Sequence, residues 1–231
     1  MHAAGTVTQL HQWPVKSMAG QPVEELAIGP RGAAGDRAHA VFDVHKGEPR
    51  RLTARQSPRL LAWRATYPGD RREPVLLAPD GREWSWADPG LASALSEDLD
   101  REVTLRSDPA GQQDLPDSLL VTVQCTLEAV SAELGSPLDL RRFRTNIHVE
   151  LDTPAFAEEE WEGRRLRVGE AELDLLHPCE RCAIPTRDPD TQEKWAPLLR
   201  HLFDRHSGRF GINARATGAA TLRVGDRVTL Q

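Results

Sequence analysis

The 231-residue chain has only three cysteines, three lysines, two methionines and one tyrosine. It also has no apolar run near the ~20 residues that a membrane-spanning helix needs. An odd cysteine count (Cys125, Cys179, Cys182) argues against a disulfide framework and suits a reducing compartment. The opening Met1-His2-Ala3-Ala4-Gly5 lacks the charged and apolar regions of a signal peptide, so a cytoplasmic protein is expected, with no membrane partner. A formal net charge of −6, from 29 basic and 35 acidic residues, favours neither a nucleic acid nor an anionic lipid surface. Internal repeats and long low-complexity segments are also missing. Because 26 of the basic residues are arginine, as a GC-rich genome would produce, Lys16, Lys46 and Lys194 each stand out. Nothing around Lys46 or Lys194 resembles a pyridoxal phosphate site.

The length that is present allows one large domain or two small ones with ample core. Short β-type runs broken by turn signals fill the front half, the pattern of an antiparallel sheet or barrel rather than of βαβ units. Strands are predicted at Thr6 to Val15, Val23 to Ile28, Ala38 to Val44 and Leu60 to Tyr67. Asp80-Gly81 between Pro74 and Trp86 offers the positive φ angles of a tight hairpin turn and would set Trp84 and Trp86 on one face. Helices are predicted from about Pro89 to Leu99, at Thr126 to Leu134 before Gly135, and at about Glu193 to Arg205. Further strands are expected at Asn146 to Leu151, Ala171 to Leu176 and Leu222 to Leu230, the last bent at Gly225-Asp226. Arg106 to Pro116 has no periodicity and reads as a linker. The charge runs Glu158-Glu159-Glu160 and Arg141-Arg142 read as solvated faces, the tryptophans as core or rim, and His148 as a structural histidine.

Two of the three cysteines fall two residues apart in His177-Pro178-Cys179-Glu180-Arg181-Cys182. A thiolate is the reactive and metal-binding form, and an adjacent guanidinium favours it. Three readings fit the spacing. A thioredoxin-like redox pair needs a helix after the second cysteine, against which Pro185 and Pro189 count. A zinc site could add His201 and His206, although the gap from Cys182 exceeds the usual ~12–15 residues. Two buried structural thiols are the third reading.

The residues around the pair extend the pattern. Cys179-Glu-Arg-Cys182-Ala-Ile-Pro-Thr186 with Asp188-Pro189-Asp190-Thr191 resembles the Cys-x-Arg-Cys segment, hydrophobic pair, Thr and Asp-Pro-x-Thr of MOSC domains, which bind the molybdenum cofactor. Trp13-Pro-Val-Lys16-Ser17-x-x-Gly20, Gly35-Asp36-Arg37 and Thr53-Ala-Arg55-Gln56-x-Pro58 resemble signatures of the β-barrel domain found in front of MOSC domains. Phe143-Arg144-x-Asn146-Ile147, Phe210-Gly211-x-Asn213, Gly218 and Val224-Gly225-Asp226 complete the family's order. The resemblance covers nearly the whole chain and extends to the mitochondrial amidoxime-reducing components and their bacterial counterparts, which reduce N-hydroxylated compounds.

It implies a mainly β (α+β) protein, with an N-terminal MOSC-type β-barrel domain over residues 1–110 followed by a MOSC β-barrel domain with a few short helices over 111–231. It implies that Cys182 supplies a thiolate to molybdenum, that Cys179 is structural, and that Arg181 lowers the pKa of the Cys182 thiol and contacts the cofactor. Lys16, Ser17, Arg37 and Arg144 would bind the cofactor's anionic phosphate, for which a guanidinium fork is well shaped. Asn213 would face the cofactor or substrate. Arg55 and Asn146 are motif members that could equally hold a turn or a strand end. The implied reaction is reduction of an N-oxygenated compound. Three cysteines cannot ligate an iron–sulfur cluster, so electrons are expected from a separate ferredoxin or flavin/iron–sulfur reductase. A cofactor or sulfur carrier without redox turnover is the alternative, and a zinc protein a more distant one. Two residues depart from the family pattern: Trp13 stands where relatives have Tyr, and Glu180 where they often have Ser. Glu180 is expected to pair with Arg181 or to alter substrate choice.

Overall fold

The computed structural model describes residues 3–69, 73–108, 111 and 115–231. The front of the chain runs through strands β1 (Ala4–Gln12), β2 (Gln21–Val23), β3 (Glu25–Gly29), β4 (Gly32–Ala33), β5 (His39–His45) and β6 (Glu48–Arg51). It continues with a 3₁₀ turn at Pro58–Ala62, β7 (Arg64–Thr66), β8 (Val75–Leu77), β9 (Glu83–Ser85), helix α1 (Leu91–Leu99) and β10 (Val103–Ser107). The rear runs through β11 (Leu119–Val123), α2 (Gln124–Leu134), β12 (Ile147–Leu151), β13 (Arg165–Val168), β14 (Ala171–Glu180), α3 (Ala196–His206), β15 (Arg209–Ala216), β16 (Ala220–Arg223) and β17 (Arg227–Leu230). The protein is mainly β with short helices, as expected.

Among the described residues, seven strands close a barrel in the order β12-β11-β15-β14-β13-β17-β1, with β1 pairing back onto β12 and β2 added beside β1. Closure leaves no raw edge between these strands. Within the barrel β11 and β12 are parallel, which a hairpin cannot connect, and α2 lies in the crossover. Val7, Leu10, Val121, Ile147, Leu166, Leu173, Ile212 and Val228 fill the interior. A second core, from Val15 and Met18 through Trp63 to Leu91 and Leu95, is gathered under three-stranded sheets of the front segment. Burying the leucine stripe of α1 contributes ~2 kcal/mol per side chain. A third cluster joins α2 and α3 to Phe143 and Phe210, whose rings stack 3.7 Å apart.

The Asp80-Gly81 hairpin forms as predicted, with Gly81 at φ +86° and Trp84 and Trp86 on the second core. Helix α2 ends at Gly135 in the left-handed conformation, as expected. Several expectations need correction. The first strand stops at Gln12, because Pro14 cannot continue the ladder. Leu60 and Leu61 belong to the 3₁₀ turn, and only Arg64–Thr66 is strand. Val23 to Ile28 is two strands broken at Glu24, and Leu222 to Leu230 is two strands in different sheets, joined by a corner at Gly225-Asp226. Arg106 and Ser107, read as linker, pair with Ala40 and His39 in β10–β5, while 109–110 and 112–114 of that stretch lie outside the described residues. Glu158 is buried rather than solvated and accepts a hydrogen bond from the Thr126 hydroxyl at 2.8 Å. Arg141 and Arg142 are tied into ion pairs with Asp139, Asp190 and Asp188. His148 is structural as expected, held by Thr122 and Gln124.

Candidate functional site

Pro14 ends β1, and the chain turns through Val15-Lys16-Ser17-Met18, where the Met18 amide donates to the Val15 carbonyl. Ser17 takes φ +70° at the third position of that turn. Lys16 is fixed by its own amide, which donates to the His39 carbonyl at 2.8 Å. A second turn brings Arg37 alongside. Asp36 is buried, and its carboxylate accepts the Trp13 amide at 2.8 Å and the Arg37 guanidinium. Arg37 also donates to the Arg144 carbonyl at 3.0 Å and lies 3.4 Å from the Asn146 side-chain oxygen.

Arg144 follows a 3₁₀ turn at Leu140–Phe143 and has φ +55°. Its guanidinium lies over the Trp13 ring at 4.3 Å and donates to the Met18 carbonyl at 2.7 Å. The Trp13 indole donates to the Thr145 carbonyl, so the ring under Arg144 is itself held in place. Burial, and then repulsion from Arg37, pull the pKa of Arg144 down to about 9, which leaves it charged at neutral pH. The Cys182 sulfur is among the groups whose charge acts on it in the opposite direction.

The cysteines arrive on another part of the chain, Cys179 on β14 and Cys182 two residues past its end. Leu173 and Leu175 point into the barrel, but irregular pairing with β15 between Leu175 and Pro178 changes the alternation. After it Pro178 is the buried residue, and His177 and Cys179 line the cleft instead. On β15 the compensating extra residue falls between Arg209 and Ile212, where Gly211 takes φ +74°. Arg181 donates to the Cys179 sulfur at 3.1 Å and to the Phe143 carbonyl at 2.7 Å. The hydrogen bond of Arg181 to a thiol thus goes to Cys179. Glu180 is exposed, sits opposite Arg209 in the ladder and forms no ion pair with Arg181 among the described residues.

These walls enclose a cleft of about 500 Å³, and all seven residues singled out from the sequence line it: Lys16, Ser17, Arg37, Arg144, Arg181, Cys182 and Asn213. Asn213 donates to the His177 carbonyl at 3.2 Å. Asn146 lines the cleft too, but its side chain is engaged with the Leu120 amide and the His11 carbonyl, the structural role weighed for it. Arg55 reaches the cleft from the turn that Thr53 and Gln56 build around it. His177 joins the cleft without belonging to any of the sequence motifs, and its spacing of two from Cys179 on one strand is the signal that marks it. In the loop before Leu119, Gln113 and Asp114 lie outside the described residues, while Leu115 and Ser118 line the cleft.

The Cys₂His₂ zinc reading fails. His201 and His206 instead converge on Glu133, and among the described residues no group of potential metal ligands includes the two cysteines. The helix required by the thioredoxin-like reading does not start at Cys182 either; a three-residue 3₁₀ turn, Ile184–Thr186, follows.

Five cations, Arg55 included, and two thiols thus share one cleft, and three buried donors in its wall have no acceptor among the described residues: the Ser17 hydroxyl, Nη2 of Arg144 and Nε of Arg181. Buried polar groups are seldom left unmatched, so this wall suits an anion with several acceptor oxygens. The sulfurs suit a soft metal.

Two family models match the chain: the MOSC domain over residues 116–229 and the MOSC N-terminal beta barrel domain over residues 4–94. Mitochondrial amidoxime reducing component 2 of Macaca fascicularis is 26% identical, with 99% of this chain and 84% of the relative covered. Human mitochondrial amidoxime-reducing component 1 is also 26% identical, with 100% and 84% covered. The crystal structure of the YUAD protein from Bacillus subtilis shares the fold, with a TM-score of 0.54 at 13% identity over 100% of this chain and 97% of that one.

Proposed function

The chain belongs to the MOSC domain family, with the family's N-terminal β-barrel domain in front, and from that premise we propose that it is a molybdenum-cofactor-binding oxidoreductase that reduces N-hydroxylated or other N-oxygenated compounds. The observation that carries this reading is the cleft itself, in which Lys16, Arg37, Arg144 and Arg181 share the lining with Cys179 and Cys182 and three wall donors lack acceptors among the described residues. The residues fit the group. Lys16, Arg37 and Arg144 would hold its phosphate, with the Ser17 hydroxyl as a further donor, and Cys182 would ligate the metal. Bound there, the cofactor supplies two-electron redox chemistry, enough with two protons to convert an N-hydroxyl group to N–H and water.

The protein's own part is to bind and orient. Trp13 and Asp36 fix the two arginines before any ligand arrives, so little side-chain order remains to be imposed on binding. Asn213, tied to His177, presents a polar amide to the cleft and would orient the substrate's oxygen or nitrogen. Arg181 holds Cys179 in place, which favours Cys182 as the sulfur free to ligate. Electrons would come from a separate ferredoxin or flavin/iron–sulfur reductase, and the action would be cytoplasmic. No helix among the described residues is long and apolar enough to cross a membrane.

The test is metal analysis of protein made in a host that synthesises the cofactor, followed by turnover of an amidoxime or hydroxylamine with a chemical reductant. We expect stoichiometric molybdenum in the wild type and its loss, together with activity, in Cys182→Ala. Loaded protein that turns over none of these compounds would support the carrier reading; protein that takes up no molybdenum would exclude both.

A further inference from the structure

The pair His201 and His206 is left over from the failed zinc-finger reading, and the fold gives it a different third member. Nε2 of His201 lies 2.6 Å, and Nε2 of His206 2.9 Å, from the same Oε2 of Glu133. Glu133 is at the end of α2, and both histidines are on α3, so the cluster joins two helices. One ligand atom from each of the three residues falls within 4.8 Å of the other two. The His206 ring is held from outside the cluster by stacking on Phe156 at 3.9 Å and 13°. All three side chains keep some solvent access, at 18%, 11% and 32% for His201, His206 and Glu133.

We propose that Glu133, His201 and His206 form a binding site for one divalent transition-metal ion of the zinc type, clamping α3 to α2. Two imidazoles and a carboxylate are a three-ligand set that zinc uses when a fourth position stays open to water. Calcium and magnesium prefer oxygen alone, and cuprous ion prefers sulfur. Metal–ligand bonds of ~2.0–2.2 Å at tetrahedral angles place ligand atoms roughly 3.3–3.5 Å apart, so the present contacts need to open by less than about 1 Å. The ion would replace the imidazole protons that now point at the carboxylate. The clamp sits behind the wall of the cleft: just past His206, Gly208 donates to the Leu202 carbonyl, and its own carbonyl accepts the Arg181 amide at 2.7 Å.

The experiment is calorimetric and thermal titration of the metal-free full-length protein with Zn²⁺, Co²⁺ and Mg²⁺. One Zn²⁺ per chain should bind and raise Tm, and Mg²⁺ should leave Tm unchanged. Affinity should fall at least ~10-fold in His201→Ala and in Glu133→Gln, the second retaining a hydrogen-bond acceptor so that folding is preserved. The Co²⁺ complex should show ligand-field bands without thiolate charge transfer, which separates this site from Cys179 and Cys182. Absence of Zn²⁺ binding, binding unchanged in both variants, or a thiolate band that disappears in Cys179→Ser would each overturn the proposal. All of these readouts are independent of molybdenum loading, so failure here leaves the proposed activity untouched.

Discussion

Asp36 is the residue on which the cationic wall turns. Its buried carboxylate receives the Trp13 amide and the Arg37 guanidinium, and Trp13 in turn carries Arg144 on its ring face. Removing one member of a buried ion pair strands the other charge at a cost of about 3–5 kcal/mol. The Arg37 side chain keeps 11% exposure, so the lower end of that range applies. Asp36→Ala should therefore cost about 3 kcal/mol in urea unfolding, and Asp36→Asn less, since the amide oxygen can still accept from Trp13. Equal losses in the two variants would refute the pairing. Arg37 was legible in the sequence as a member of Gly35-Asp36-Arg37, but the role of its neighbour was not. A carboxylate next to an arginine does not reveal that it also binds the amide of residue 13.

At the scale of elements, the paired irregularities of β14 and β15 decide which side chains the cleft receives. A regular ladder would have continued the alternation of Leu173 and Leu175 and sent His177 and Cys179 into the barrel. Gly211 permits the irregularity on β15. A Cβ added there would lie 2.7 Å from the Val121 carbonyl oxygen at a φ of +74°. Gly211→Ala should destabilise the protein by about 2–3 kcal/mol from left-handed strain and backbone crowding. The check is chemical denaturation against Gly218→Ala, where nothing lies within 4 Å of the added Cβ and φ is not positive; equal effects would sink the argument. Amphipathic α1 and the Asp-Gly hairpin were readable because their signals are local. The 3₁₀ turn at Pro58–Ala62 was not, since two buried leucines in a row fit a strand equally well until the second core fixes their direction.

Over the whole molecule, front and rear of the chain are interleaved: β1 closes the barrel between β12 and β17, and β16 returns to pair with β3. Folding also buries ionisable groups, and this gives stability a definite pH dependence. Burial pushes the pKa of His39 and of His148 down to about 4 from 6.5. Their contributions are complete above pH 6.5 and are lost as pH falls through 4. Burial pushes Glu158 the other way, up to about 7 from 4.5, so its contribution is complete below pH 4.5 and is lost as pH rises through 7. These three groups together favour maximum stability near pH 6.5. Glu158→Gln should melt close to the wild type at about pH 4 and above it at about pH 8, each beyond one edge of the window in which Glu158 titrates. A Tm difference that does not change with pH would exclude a buried, titrating Glu158.

The sequence by itself determined the mainly β class, the two helices with clean apolar stripes or caps, and the set of motifs whose Lys16, Ser17, Arg37, Arg144, Arg181, Cys182 and Asn213 meet in one cleft. The class and the helices depend on local periodicity, turn chemistry and residue type, whereas the site residues were marked by the resemblance of their motifs to those of MOSC domains. Only the tertiary structure decided that β1 completes the barrel, that Trp13 supports Arg144, that Arg181 binds Cys179, and that His201 and His206 meet Glu133 rather than the cysteines. Each of these is a contact between segments far apart in the chain, or a direction set by a strand irregularity. Spacing along one strand or helix carries no record of either.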